Sequence, residues 1–349
     1  MKSKLRGVAA TAAALAVLAA PTRAQEVHRI SGAEVSIYNL AGHTRVVRGS
    51  GSDVVVRITR GGADAARLSV ETGTVGGRAT LRVIYPGDQV VYSEMGRGSR
   101  TTVRVREDGT FWGRSGSRGS SVDIRGSGRG LEAWADLVIE VPAGKDFAAN
   151  VAVGDMEANG LQGEIRLATG SGGVEAVDVT GSLEVDTGSG SATVERIRGS
   201  LSVDTGSGSV TVRDVEGATI EIDTGSGRVR GSGLTTSRLG VDTGSGSIDL
   251  DGVSSPEVVL DTGSGSVEVT LLRDVDLLDV DTGSGSVTIY APEDLGAQVE
   301  IDTGSGGIDM DFAVQVRSVR RDHVVGTLGD GRGTIRIDTG SGGIRLLKR

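Results

Sequence analysis

The sequence predicts an all-β fold, a single-stranded β-solenoid (β-helix) with coils of about 19 residues and an N-terminal β region as its cap. Three observations predict it. Asp-Thr-Gly-Ser-Gly begins at Asp186, Asp204, Asp223, Asp242, Asp261, Asp281, Asp302 and Asp338, and residues 168–172 are a ninth copy with Ala168 in the first place. Successive starts lie 18, 18, 19, 19, 19, 20, 21 and 36 residues apart. The position before each Asp is always aliphatic, as in Val185, Ile222, Leu260 and Ile337, and the position two past the motif nearly always is, as in Val210, Val229 and Ile248. Apolar and polar residues alternate within each unit, for instance at Val210 and Val212 and again at Ile220 and Ile222, the period of half-buried strands. A helix would not absorb this much Gly, at about 1 kcal/mol each relative to Ala. One such unit cannot bury its own apolar face, so the units must stack strand on strand.

Taken from the N-terminus, residues 1–24 read as an export signal. Lys2, Lys4 and Arg6 precede an apolar run over residues 8–20, and Thr22-Arg23-Ala24 is a small-residue cleavage site before Gln25. The run is shorter than the roughly 20 residues a bilayer span needs, and no later stretch resembles a transmembrane segment. The chain is expected to be exported, to a periplasm, a cell surface or the exterior.

Residues 25–149 form the N-terminal β region. Strands are expected over residues 33–40, 53–58, 79–85 and 135–142, either as degenerate early coils or as a small separate sheet. Residues 96–130 hold eight Arg against three acids amid Gly and Ser, which predicts a mobile excursion carrying at most a hairpin over 101–106 and 109–113. A boundary near 146–160 follows from composition. Residues 25–149 carry 17 positive and 14 negative side chains, residues 150–349 carry 16 and 32, and seven of the nine aromatics precede residue 150.

Residues 150–349 then form the solenoid, roughly ten coils and about 50 Å of rod at about 4.8 Å per coil. Solenoid ends are open sheet edges and need covers. The aromatic N-terminal region supplies one, and Arg345, Lys348 and Arg349 put charge on the last strand at the other. The 36-residue gap between Asp302 and Asp338 reads as two periods with one copy eroded.

Composition excludes several chemistries. With no Cys there is no disulfide framework, thiolate metal site, Cys nucleophile or lipidated Cys anchor. Export removes Lys2, Lys4, Arg6 and Arg23, leaving 33 positive against 46 negative residues, net −13, so nucleic acid is not an expected partner.

Asp-Thr-Gly also opens the catalytic loops of aspartic proteases, where two carboxylates share a proton across a cleft. Eight copies one coil apart put the Asp residues in a column with no facing partner instead. Carboxylates about 4.8 Å apart repel by about 0.9 kcal/mol per neighbour in bulk water and about 3.5 kcal/mol at an effective dielectric near 20. The expected compensation is an Asx turn, each carboxylate accepting backbone N–H groups of its own corner. The alternative is a cation, which makes the eight Asp a candidate Ca²⁺ column and the molecule a calcium-stiffened rod. The match to calcium-binding Gly-Gly-x-Gly-x-Asp nonapeptides is poor, because here the Asp precedes the glycines and the period is doubled. The Gly-Ser-Gly corners lack the Lys and the helix of a phosphate-binding loop.

No residue is assigned a catalytic role and no cofactor is expected. The irregular coil at 311–332 gathers Arg317, Arg320, Arg321, Asp322 and His323, the best local candidate for a site, with a decayed repeat as the plainer explanation. Trp112 and Trp134 are candidate surface contacts able to stack on sugars, or caps on the core.

The mature chain resembles a bacterial "putative adhesin" family of β-strand-repeat proteins of unknown function. The likeness is carried by Val35-Ser-Ile-Tyr-Asn-Leu-Ala-Gly42, by Val54-Val-Val-Arg-Ile58, by the Val141-Pro142 strand end and by the Thr-Gly-Ser-Gly corners. The close, Gly326-Thr-Leu-Gly-Asp-Gly331 followed by Ile335-Arg-Ile-Asp-Thr-Gly-Ser-Gly-Gly-Ile344, is its most specific part. The resemblance implies a β-solenoid and an exported location. Combined with the residues, it yields a non-catalytic, adhesin-like binding or structural protein of the cell envelope whose partner is a cell-surface polymer or protein. The alternatives are a carbohydrate-active β-helix enzyme, a polysaccharide hydrolase or lyase, and the calcium-stiffened rod.

Overall fold

A computed structural model describes residues 25–112 and 119–349. The export signal at 1–24 and the end of the 109–113 strand lie outside the described residues.

The aliphatic columns become two facing sheets. The strand Val210–Thr224 shows one coil: Val210, Val212 and Val215 point inward from one sheet, and Ile220, Ile222 and Thr224 point inward from the other. The following coil repeats this in register, with Val210 beside Val229, Ile220 beside Leu239 and Asp223 beside Asp242. Val212 and Val215 are both buried although three residues apart, which strict alternation forbids. Asp214 resolves the conflict with a left-handed backbone, φ 53°, that turns Arg213 and Asp214 outward together. Asp178, Arg196, Gly233 and Gly252 occupy the same place in other coils, with φ of 57°, 55°, 63° and 72°. A side chain in that conformation costs about 1–2 kcal/mol, which Gly233 and Gly252 avoid.

Neither end of the rod is built in sequence order. The first coil, Glu34–Ala41 and Thr44–Arg48, lies inside the stack. On one side it pairs with Lys145–Val153 and Met156–Asn159, and on the other with Arg78–Ile84 and Trp134–Val141. The antiparallel strands Val54–Gly61, Glu26–Ile30 and Ser69–Val75 then close that end. At the far end Gly333–Thr339 inserts between Leu277–Thr282 and Ala297–Thr303, so Asp338 stands between Asp281 and Asp302. Antiparallel His323–Leu328 and Val314–Val319 follow outside.

These ends correct two expectations. Residues 311–332 hold a capping hairpin, not an eroded coil, and the last strand in sequence is not the last in space. The physical reason is the exposed row of N–H and C=O groups on a parallel edge, which an antiparallel hairpin covers with only a short turn. Counting caps, the sheet that carries the aspartates has fifteen strands in continuous register among the described residues, about 67 Å at ~4.8 Å per step.

The compositional boundary near 146–160 coincides with no break in packing. One apolar cluster runs from Ile30 to Leu346, and Val35 pairs directly with Phe147 across it.

The Arg-rich excursion is also more ordered than its composition suggests. Arg100–Val105 pairs antiparallel along its length with Ser120–Arg125, and it meets residues 109–112 in a tight turn, with an antiparallel bridge from Val105 to Phe111 and the Arg106 N–H donating to the Thr110 carbonyl at 2.9 Å. Ser120–Arg125 pairs parallel with Gln89–Val91, and that strand with Leu131–Glu132. Val103, Phe111, Val122, Ile124 and Leu131 are buried under this small sheet. The positive charge stays on its outer side, where Arg100 and Arg125 meet Asp123 at 2.7 and 3.0 Å. A hydrogen bond from Thr102, with those two guanidiniums, holds the Asp123 carboxyl down to about 2.

Candidate ligand cleft and aspartate file

The eight repeat aspartates stand in a single file. Pairing register runs Asp186, Asp204, Asp223, Asp242, Asp261, Asp281, Asp338, Asp302, one coil per step. Their side chains point outward, and all but the half-buried Asp302 are exposed. Burial, then the neighbouring carboxylates, push the carboxyls of Asp186, Asp223, Asp261 and Asp338 above the ordinary range. Among the described residues no three His, Asp or Glu side chains converge as a metal cage.

The corner is held by the threonine, not by the aspartate as the Asx-turn expectation had it. The Gly265 N–H donates to Thr262 Oγ1 at 3.0 Å, and that hydroxyl donates to the Gly246 carbonyl of the preceding coil at 2.8 Å. Thr224, Thr243 and Thr282 repeat both bonds. These threonines are fully buried while the aspartates face water, because alternation along the strand turns adjacent side chains to opposite faces. The corner glycines are required for space. A Cβ on Gly227 would sit 1.8 Å from the Gly208 carbonyl oxygen of the coil beneath, and Gly246, Gly265 and Gly285 meet the same obstacle.

Followed toward the N-terminal end, the file changes character. The register continues from Asp186 to Ala168, Asn150, Tyr38 and Arg82. The four positions from Asp186 to Tyr38 line a cleft of about 390 Å³ that the small sheet overhangs. Its floor is small or buried, with Ser36, Ala148, Ala168 and Asn150 all below one-tenth exposed. Its wall is aromatic: Phe111 meets the Tyr38 ring edge-on at 5.5 Å and the Trp112 ring at 4.8 Å. Trp112 is half-buried and has a left-handed backbone, φ 58°, with the Arg106 guanidinium donating to its carbonyl. Its ring comes down on Gly170, where a Cβ would lie 3.3 Å from the indole. The missing Asp of the ninth repeat thus has a cause: a carboxylate at the buried Ala168 position would lose its water under this wall.

The rim is charged. Arg78 grips Asp146 with two bonds of 2.6 and 2.7 Å and donates to Ser36 at 2.8 Å. Arg166 pairs with Glu184 at 2.8 Å, and Glu164 and Asp186 complete it.

A second cleft of about 410 Å³ lies on the other flank of the small sheet. There His43 Nε2 is 2.6 Å from Glu94, and the buried Tyr92 hydroxyl donates to the same carboxylate at 3.0 Å. Burial pushes the Glu94 carboxyl up, and the bonds from His43 and Tyr92 outweigh it and hold it below its usual range.

The two tryptophans have different roles. Trp134 packs on Tyr92 at 5.8 Å and fills the place of a side chain at Gly61, so it is a packing residue. Only Trp112 lines a cleft. Of the irregular-coil residues, His323 reaches the file, its Nδ1 2.7 Å from Asp302, and the Asp322 carbonyl accepts the Thr303 N–H at 2.9 Å. Arg317, Arg320 and Arg321 are exposed on the capping hairpin, whose turn is closed by the Arg320 N–H donating to the His323 carbonyl at 2.7 Å. The sequence reading missed Tyr38, Arg78 and His43. Tyr38 sits in the aspartate register, yet only strand pairing across more than a hundred residues reveals it.

A family model for the Toastrack DUF4097 domain matches residues 135–347. The chain belongs to the Toastrack DUF4097 family. The Toastrack match starts on the strand Trp134–Val141 and ends on Ile344–Lys348, so it covers the whole aspartate file and the inserted C-terminal strands. Asp146, Asn150, Arg166 and Ala168 fall inside it, while Tyr38, Arg78, Phe111 and Trp112 come from the preceding region. The crystal structure of a "putative cell adhesion protein" from Clostridium sporogenes ATCC 15579 is similar over 93% of this chain and 99% of that one, at 11% identity and a TM-score of 0.21. No curated protein matches the chain. No helix of the described residues is long and apolar enough to cross a membrane.

Proposed function

We propose that this Toastrack protein is an exported, non-catalytic, adhesin-like rod that binds a cell-surface polymer or protein through the outer side of its aspartate-bearing sheet. The observation that carries the reading is the interruption of the file. Eight coils present an unbroken row of carboxylates, and where the row reaches the small sheet it gives way to Ala168 and Asn150 over a walled depression. A concave site on rigid strands with a few convergent polar groups is the usual form of a binding site. The cationic start and apolar run of residues 1–24 support export. The reading is tested by immobilising the purified chain and passing solubilised envelope polymers and proteins over it. Saturable retention of one component is expected, and retention of none overturns the reading.

A second reading, carbohydrate cleavage, draws on one observation. Glu184, paired with Arg166, and Asp186, its carboxyl raised by burial, stand two residues apart on one strand beside the cleft. That spacing is roughly 6.7 Å, near the separation of inverting glycosidase carboxylates. Against it, the same raised carboxyls recur at Asp223, Asp261 and Asp338, far from any cleft wall, so the shift belongs to the file. Release of reducing ends from a polysaccharide on incubation with the chain would reverse the order of the two readings.

A further inference from the structure

We infer that the Trp112 cleft is a binding site for a neutral sugar unit of a glycan, with Trp112 as its stacking platform. This rests on the binding reading above and names the ligand class of that site. Four features of the cleft lead to it.

The first is the wall. A pyranose ring offers an apolar C–H face that packs on an aromatic ring, and a platform serves best when held rigid before the ligand arrives. Trp112 is held on three sides: Phe111 edge-on at 4.8 Å, Gly170 beneath, and the Arg106 guanidinium on its carbonyl. Its left-handed backbone is a conformation that non-Gly residues adopt at a cost, and such strain concentrates at functional sites.

The second is the floor. Every coil from Asp186 onward carries Asp at this register, and only beneath the wall is the position reduced to Ala168 and then to Asn150. That leaves a depression of about 390 Å³, at the low end of ligand sites (about 300–1,000 Å³) and of a size for a short sugar segment.

The third is the rim. Each guanidinium there is already paired with a carboxylate, Arg78 with Asp146 and Arg166 with Glu184, so the rim presents donors and acceptors in alternation. Sugar hydroxyls, each donor and acceptor at once, match that alternation.

The fourth is the charge balance. Among the lining residues Asp146, Glu164, Glu184 and Asp186 outnumber Arg78 and Arg166 by two, and behind the wall Arg106 is offset by Asp108, so the negative excess stands. Uronate, sialyl and phosphate-bearing units are repelled, and a neutral unit is not.

The test is titration of the purified full chain with cellohexaose, chitohexaose and oligogalacturonate, read by calorimetry and by tryptophan fluorescence. At least one neutral hexamer is expected to bind and to shift the emission, and oligogalacturonate is not. Trp112→Ala is expected to weaken that binding at least tenfold while the chain keeps a single cooperative melting transition well above the titration temperature. Ala168→Asp, which restores the repeat motif, should abolish it. Because this variant buries a carboxylate, Arg166→Gln provides a milder rim change, expected to weaken binding several-fold. Binding of neutral hexamers unaffected by Trp112→Ala overturns the site, and preference for oligogalacturonate overturns the ligand class. If an envelope component is retained by both wild type and Trp112→Ala, the cleft inference falls while the binding reading stands. If wild type retains nothing, the binding reading falls first.

Discussion

Replacing Thr262 by Val tests which residue of the repeat holds the corner. Valine keeps the shape and removes only the hydroxyl, which in the structure accepts from the Gly265 N–H at 3.0 Å and donates to the Gly246 carbonyl at 2.8 Å. All three residues are buried, so both backbone groups lose their partner without gaining water. Each orphaned group costs about 1–3 kcal/mol, giving about 2–6 kcal/mol in all, and local relaxation draws the value toward the lower half. The adjacent change, Asp261→Asn, should act in the opposite sense. It removes repulsion from Asp242 and Asp281, each about one strand step away and worth about 0.9 kcal/mol in water before salt screening. The expected effect is a stabilisation of up to about 1 kcal/mol at neutral pH and low salt. Urea unfolding of the two variants beside wild type reads both values, with unchanged m-values confirming that the same surface is exposed. A cost of more than about 1 kcal/mol for Asp261→Asn, with Thr262→Val nearly neutral, would refute the threonine-held corner and restore the Asx turn.

Other consequences follow from the same geometry. Gly227→Ala should prevent stacking of its coil, since the new Cβ would lie 1.8 Å from the Gly208 oxygen, whereas Gly307→Ala meets nothing within 4 Å and should melt like wild type. Asp186, Asp223, Asp261 and Asp338 have carboxyls raised in the folded state, so the fold binds protons more readily than the unfolded chain there. Their contribution is present at low pH and lost as pH rises through the raised range. Asp123, Glu26 and Glu94 are lowered, so theirs is lost on acidification. Melting midpoints should therefore rise on mild acidification from neutrality before falling in strong acid, and Asp223→Asn with Asp261→Asn should flatten the rise. Finally, the native chain has no Cys, and a disulfide needs Cα atoms within about 7 Å. Asp281→Cys with Asp338→Cys should oxidise to a disulfide at one strand step, while Asp281→Cys with Asp302→Cys, two steps apart, should not. The reverse result would show coils stacked in sequence order.

Much of this molecule was legible in its sequence because a repeated unit states its packing rule many times. The columns at Val210, Val229 and Ile248, and at Ile222, Val241 and Leu260, are the buried ladders of the two sheets. What stayed hidden is where the rule is broken. The left-handed bend at Asp178, Arg196 and Asp214 has no glycine to announce it. The insertion of Gly333–Thr339 between earlier coils depends on which edge is free when that strand arrives, and local periodicity does not record this. The small sheet was masked by its arginines, among which Arg100 and Arg125 converge on the one Asp123 only once Arg100–Val105 has paired with Ser120–Arg125. The assignment of the corner to aspartate failed for a simpler reason. Asp and Thr are adjacent and both able to accept a hydrogen bond, and only the phase of the strand decides that Thr faces in. The cleft was half visible, in Ala168 and Trp112, while Tyr38 and Arg78 join it only through register.

The central claim is that the aspartates run in file along a rod. Spin labels at Asp186→Cys and Asp302→Cys measure it directly in this cysteine-free chain. Seven strand steps separate the two positions, so the distance distribution should centre near 34 Å at ~4.8 Å per step. A distribution centred below about 20 Å, as required if the carboxylates converged around a cavity, would contradict the account.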